Sequence, residues 1–78
     1  MKVYDDDNVR RYIEKHQLRK QYIKACRLIE QGYSHLVELK LRKPKHAGIY
    51  QFRISRKYRA FAIKEEHNLI VYKISDHQ

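Results

Sequence analysis

The chain has 78 residues, 18 basic and 9 acidic side chains, and a formal charge of +9. A chain this short folds as one domain, residues 1–78, with a barely self-sufficient core, and its charge selects nucleic acid, an acidic protein or an anionic surface as partner. One cysteine, Cys26, excludes an intrachain disulfide and a Cys-rich zinc site, and no apolar run approaches a membrane span.

Val3 and Tyr4 suit a brief edge strand. Asp5, Asp6, Asp7 and Asn8 are read as helix caps and favourable charge at a helix start rather than as metal ligands, because no second acidic or histidine cluster has a place beside them. Val9, Tyr12, Ile13 and His16 then give one partly apolar helical face. Leu18, Tyr22, Ala25, Cys26 and Ile29 continue the helical period, with Cys26 a core residue on that stripe. Gln17 and Leu18 either join two helices or kink a single one. Gly32 ends the helical region as a left-handed cap.

From His35 the period changes. Val37, Leu39 and Leu41 alternate with Glu38, Lys40 and Arg42, which predicts a strand with one buried face. Pro44 interrupts it, and residues 45–48 form a loop. Tyr50, Phe52 and Ile54 then alternate with Ile49, Gln51 and Arg53. After Ser55, Arg56 and Lys57, a strand over residues 58–64 sets Arg59, Phe61 and Ile63 against Tyr58, Ala60 and Ala62. A polar turn at residues 65–68 leads to a last apolar strand, residues 69–74. These elements predict an α+β domain with two N-terminal helices packed on one face of a small, mainly antiparallel sheet of three or four strands.

Residues 40–59 carry eight Lys or Arg and no acid. Such a concentration favours a localised anion-binding surface over a generally solubilised shell. Arg53 and Arg59 are the expected phosphate clamps, since strands hold guanidinium groups more rigidly than loops do. Lys40, Arg42, Lys43, Lys45, His46, Arg56 and Lys57 are expected to contact neighbouring phosphates, and Tyr50 and Tyr58 to offer stacking surfaces to unpaired bases. RNA cleavage through the ribose 2′-hydroxyl needs no metal or cofactor. It needs cations over the phosphoryl oxygens and groups that move protons, for which His77 is the leading candidate.

Gly48-Ile49-Tyr50-Gln51-Phe52-Arg53-Ile54, Tyr58-Arg59-Ala60-Phe61 and Leu69-Ile70-Val71-Tyr72-Lys73-Ile74-Ser75-Asp76-His77 together resemble the RelE/ParE superfamily of bacterial toxins, over residues 18–77. The resemblance implies a RelE-like fold and, in the RNA-cleaving branch, a cytoplasmic endoribonuclease that cuts messenger RNA on the ribosome and is blocked by a small acidic cognate antitoxin. Arg53 and Arg59 correspond to strand arginines of that family, and His77 to the terminal histidine of some members. The sequence departs from the family in ending before the tyrosine that many members carry after this histidine, and in the length and basicity of the Ser55-Arg56-Lys57 hairpin. Two alternatives share the fold: a gyrase-inhibiting ParE-like toxin and a noncatalytic RNA-binding or partner-binding module.

Overall fold

The computed structural model describes residues 1–76, so the expectation for His77 lies outside the described residues. The chain runs β1 (Val3–Asp5), α1 (Asp7–Lys15), α2 (Arg19–Glu30), β2 (Lys40–Leu41), β3 (Ile49–Arg53), β4 (Tyr58–Glu65) and β5 (Asn68–Asp76). Its five strands form a single sheet in the order β1-β5-β4-β3-β2. Neighbours are antiparallel except β1 and β5, which are parallel. Four strands follow the helices, the first of them, β2, shortened to two residues, and the brief edge strand expected at Val3 and Tyr4 makes the fifth.

Helix α1 starts where Asp6 accepts a hydrogen bond from the Val9 amide at 2.9 Å, satisfying one of the unpaired amides of the first turn. Asp5 is no cap. It accepts from Arg10 Nε at 2.7 Å and from the Tyr22 hydroxyl at 2.8 Å, tying β1 to both helices. Gln17 adopts a left-handed φ of 56° and the Leu18 amide donates to the Ile13 carbonyl, so residues 16–18 join two helices rather than kink one. Gly32, at φ 92°, closes α2: its own amide donates to Ile29 and the Tyr33 amide to Leu28, which satisfies carbonyls of the last turn.

The strand expected from His35 is largely replaced. Residues Ser34–Val37 form a 3-10 turn, and Glu38 at φ 55° breaks the extended backbone before β2 begins at Lys40. Val37 still enters the core, and Leu39 packs against it. Alternation over so few residues is satisfied equally by a turn followed by a short strand. The loop before β3 contains a 3-10 turn over Lys45–Ala47, ended by Gly48 at φ 68°, a conformation that glycine adopts without strain.

The core lies between the helices and one face of the sheet. Phe52, Leu69 and Val71 are fully buried beneath Val9, Ile13, Tyr22, Ala25 and Ile29, with Ala60 and Ala62 providing short side chains on the central strand. Along β5 the buried residues are Leu69, Val71 and Ile74. The break in alternation coincides with a register shift between Phe61 and Ala62, which leaves Tyr72 as the extra residue of β5 and returns Ile74 to the core opposite Ala60. No helix among the described residues is long and apolar enough to cross a membrane.

Candidate nucleic-acid interface

With both helices on one side, the opposite face of the sheet carries its side chains in three cross-strand rows. Arg53, Arg59 and Ser75 form the row nearest the β3–β4 hairpin. Lys40, Gln51, Phe61 and Lys73 form the next, and Ile49, Ile63, Ile70 and Tyr4 the third. Direct pairing of Arg53 with Arg59 follows from alternation: both are odd-positioned neighbours of buried Phe52 and Ala60, and the hairpin register sets one opposite the other.

Two like charges placed opposite one another repel, and each here has partners that offset the repulsion. Arg53 Nη1 donates to Glu38 Oε2 at 3.3 Å in an exposed ion pair. Arg59 Nη1 donates to the carbonyls of Ser55 at 2.8 Å, Tyr58 at 3.2 Å and Arg56 at 3.3 Å. The hairpin thus orients the Arg59 guanidinium through one nitrogen. Its Nε and Nη2 make no hydrogen bond to a described residue, leaving a fork of donors for an anion.

Arg42 extends the β2–β3 pairing, its amide donating to the Ile49 carbonyl at 2.7 Å, and its guanidinium lies 4.9 Å from the centre of the Phe61 ring. That contact combines a cation with an aromatic platform in the middle row. Lys40 and Lys73 stand at the two ends of the same row. Lys43, Lys45 and His46 are exposed on the β2–β3 connection, and Arg56 and Lys57 on the β3–β4 hairpin, so they rim the face rather than line it.

The two tyrosines expected to stack on bases are not in these rows. Tyr50 pairs with Leu41 and Ala62, on the side of the sheet that carries the helices, and packs against the core. Tyr58 shares that side. Its hydroxyl lies 3.3 Å from His16 Nδ1 and its ring meets Tyr12 edge-on, while the Tyr12 and His16 rings lie 4.1 Å apart. Burial, followed by the nearby Tyr58 and Asp76, raises the Tyr12 pKa. Tyr50 and Tyr58 thus stand on the face opposite Arg53 and Arg59, as strand alternation predicts, because in each strand they differ from the arginine by an odd number of positions and an odd step crosses the sheet.

Phe61 and Lys73 are the members of the face that residue-type reasoning passed over. Phe61 was on the Arg59 side by alternation, but an aromatic in an apolar strand reads as core. Lys73 was hidden by the bulge, which alters the parity of β5 after Val71. Among the described residues no group of three or more His, Cys, Asp or Glu is placed to hold a metal ion.

No protein-family model and no curated protein sequence matches the chain. Among solved structures, a chain of the heterotetrameric complex of the YoeB-YefM toxin-antitoxin from Staphylococcus aureus superposes with a TM-score of 0.69 at 13% sequence identity, covering 100% of this chain and 98% of that one. At that identity the likeness concerns the fold: two N-terminal helices against a mixed sheet, the RelE-like architecture.

Proposed function

We propose that this protein is a messenger-RNA endoribonuclease of the RelE-like toxin type, acting in the cytoplasm on ribosome-bound message and restrained by a small acidic antitoxin. The observation that carries the reading is the cross-strand pair Arg53–Arg59 on the open face of the sheet, beside the Arg42–Phe61 contact. The fold shared with a chain of a toxin-antitoxin complex supports the same reading.

In this account the RNA backbone crosses the arginine row while an unpaired base stacks on the Arg42–Phe61 platform, a mode suited to single-stranded RNA. The ribose 2′-oxygen attacks the adjacent phosphorus as a base removes its proton. The P–O5′ bond breaks, an acid returns a proton to the 5′-oxygen, and a 2′,3′-cyclic phosphate remains. Arg53 and Arg59 stabilise the charge that builds on the phosphoryl oxygens, which is the larger electrostatic contribution. His77 is assigned the proton transfer, and His46, Lys43, Lys45, Arg56 and Lys57 hold flanking phosphates.

Regulated expression in bacteria with primer-extension mapping of messenger RNA tests the reading. The wild type should produce discrete, codon-positioned cuts that disappear in Arg59→Ala and weaken in Arg53→Ala and His77→Ala. Intact message in cells arrested by soluble protein would reject it, and gyrase-dependent DNA breaks in those cells would point to the gyrase-inhibiting alternative. RNA binding without cleavage is the other alternative. Under that alternative, RNA binds and no cut product forms.

A further inference from the structure

Gln51 stands at the middle of β3, opposite Lys40 on β2 and Phe61 on β4, on the face turned away from buried Phe52. Its side chain is half-buried and makes no hydrogen bond to a described residue. Arg42 pairs at Ile49, one row further along, and its guanidinium reaches over β3 to the Phe61 ring on β4. The cation–aromatic contact is therefore built beside Gln51, which pairs with the ring directly and belongs to the strand that the cation crosses.

The three rows otherwise hold cations, aliphatic side chains, one phenyl ring and the hydroxyls of Ser75 and Tyr4. Phosphate oxygens accept hydrogen bonds, and Arg and Lys only donate them, so the cations match a nucleic-acid backbone. The Gln51 carbonyl oxygen does not: it needs a donor, which no ionised phosphate supplies. In these rows the Gln51 amide alone offers a donor and an acceptor on separate atoms, side by side in one plane. That is the pattern a base edge complements, and the neighbouring guanidinium and ring supply the flat surfaces on which a base stacks.

The same pattern discriminates among bases. Adenine sets an amine donor beside a ring-nitrogen acceptor on both of its free edges, so an amide pairs with it whichever edge is turned toward the sheet. The N7 edge of guanine carries two acceptors, one of which would face the Gln51 carbonyl, and suits Arg or Lys instead. The pyrimidines match an amide on one edge only and stack over a smaller area. We propose that Gln51 is a base-reading residue that selects adenine. It precedes Arg53 by two positions on the same face, so the base it reads belongs to a nucleotide adjoining the phosphate held by the arginine pair. The inference rests on the proposed binding of single-stranded RNA to the open face and does not depend on cleavage.

The test is fluorescence anisotropy with the full chain and uridine hexamers that carry one central adenosine, guanosine, cytidine or uridine, each kept uncut by 2′-O-methyl groups. The adenosine hexamer should bind the wild type about tenfold more tightly than the other three. Purine riboside in place of adenosine keeps the two-ring surface and drops the amine, and should lose that tenfold advantage. Gln51→Val suits a strand and leaves the buried face untouched; it should bind the adenosine and purine-riboside hexamers equally, with its circular dichroism spectrum unchanged. Equal wild-type binding of all four hexamers would overturn base reading while leaving RNA on the open face. An adenosine preference that survives in Gln51→Val, or that purine riboside retains, would overturn the assignment to Gln51, and a guanosine preference would overturn the choice of adenine. No binding of any hexamer would overturn the inference and the proposed function together.

Discussion

At the scale of single residues, the arginine pair separates charge from geometry. Arg59 Nη1 is engaged by hairpin carbonyls, so the rest of its guanidinium is presented in a fixed direction. Arg59→Lys keeps the charge and loses that fork, and it should fall nearly as far as Arg59→Ala, by about 10²-fold or more in single-turnover cleavage, with an unchanged circular dichroism spectrum. Asp5 has the opposite character: it serves the fold and lies off the open face. Asp5→Ala leaves the Tyr22 hydroxyl without its acceptor and Arg10 without its closest acid, and should cost about 1–3 kcal/mol in urea unfolding with RNA affinity retained. Near Tyr22, burial pushes the Cys26 thiol up to about 12 from the usual 9.0. Between those values the unfolded chain has released this proton and the folded chain has not. Stability is therefore fully present below about pH 9 and declines as pH rises from there toward 12. Burial raises the Tyr22 hydroxyl as well, which acts in the same direction. Denaturant midpoints measured across that range should fall monotonically, and Cys26→Ala should fall less steeply.

At the scale of elements, β5 shows how the register stores information. Tyr72 is the extra residue that separates Val71 from Lys73 and Ile74. Deleting Tyr72 would leave Val71 facing the core, Lys73 facing out and Ile74 facing the core in simple alternation. The deletion variant should stay folded with a cooperative unfolding transition. Deleting Ile70 instead inverts Leu69 relative to Val71 and should abolish folding; a cooperative transition in that variant would contradict the register. The same element explains what sequence reasoning could see. The helices were legible because Val9, Ile13, Tyr22, Ala25 and Ile29 repeat over enough turns to outvote any one residue, and β3 and β4 because Phe52, Ala60 and Ala62 hold a strict period of two. The segment at Ser34–Val37 was misread because Val37, Leu39 and Leu41 carry a strand's alternation, while the left-handed backbone at Glu38 leaves no composition signal. Arg53 and Arg59 could be placed on strands from sequence. Their direct pairing required the hairpin register, and alternation set Tyr50 and Tyr58 on the other face without telling which face the helices cover.

At the scale of the whole molecule, the helices occupy one side of the sheet, and the cations from residues 40–59 gather on and around the other. A single-stranded RNA lying across the rows would meet Arg42, Arg53, Arg59 and Lys73, and its binding should weaken with salt at a logarithmic slope of about −3, reduced by about 0.7 in Lys73→Ala. A slope near zero would remove the phosphate contacts from the account. The central claim, however, is chemical: the open face positions RNA for attack by its own 2′-oxygen. The most direct measurement is cleavage, on purified ribosomes, of two messages that differ only by a single 2′-deoxy nucleotide on the 5′ side of the mapped cut. The account predicts that the all-ribose message is cut to a 2′,3′-cyclic phosphate and that the deoxy message is bound equally well but left intact at that position. Cleavage of the deoxy message at the same phosphate, or a folded wild-type protein that cuts neither message, would contradict it.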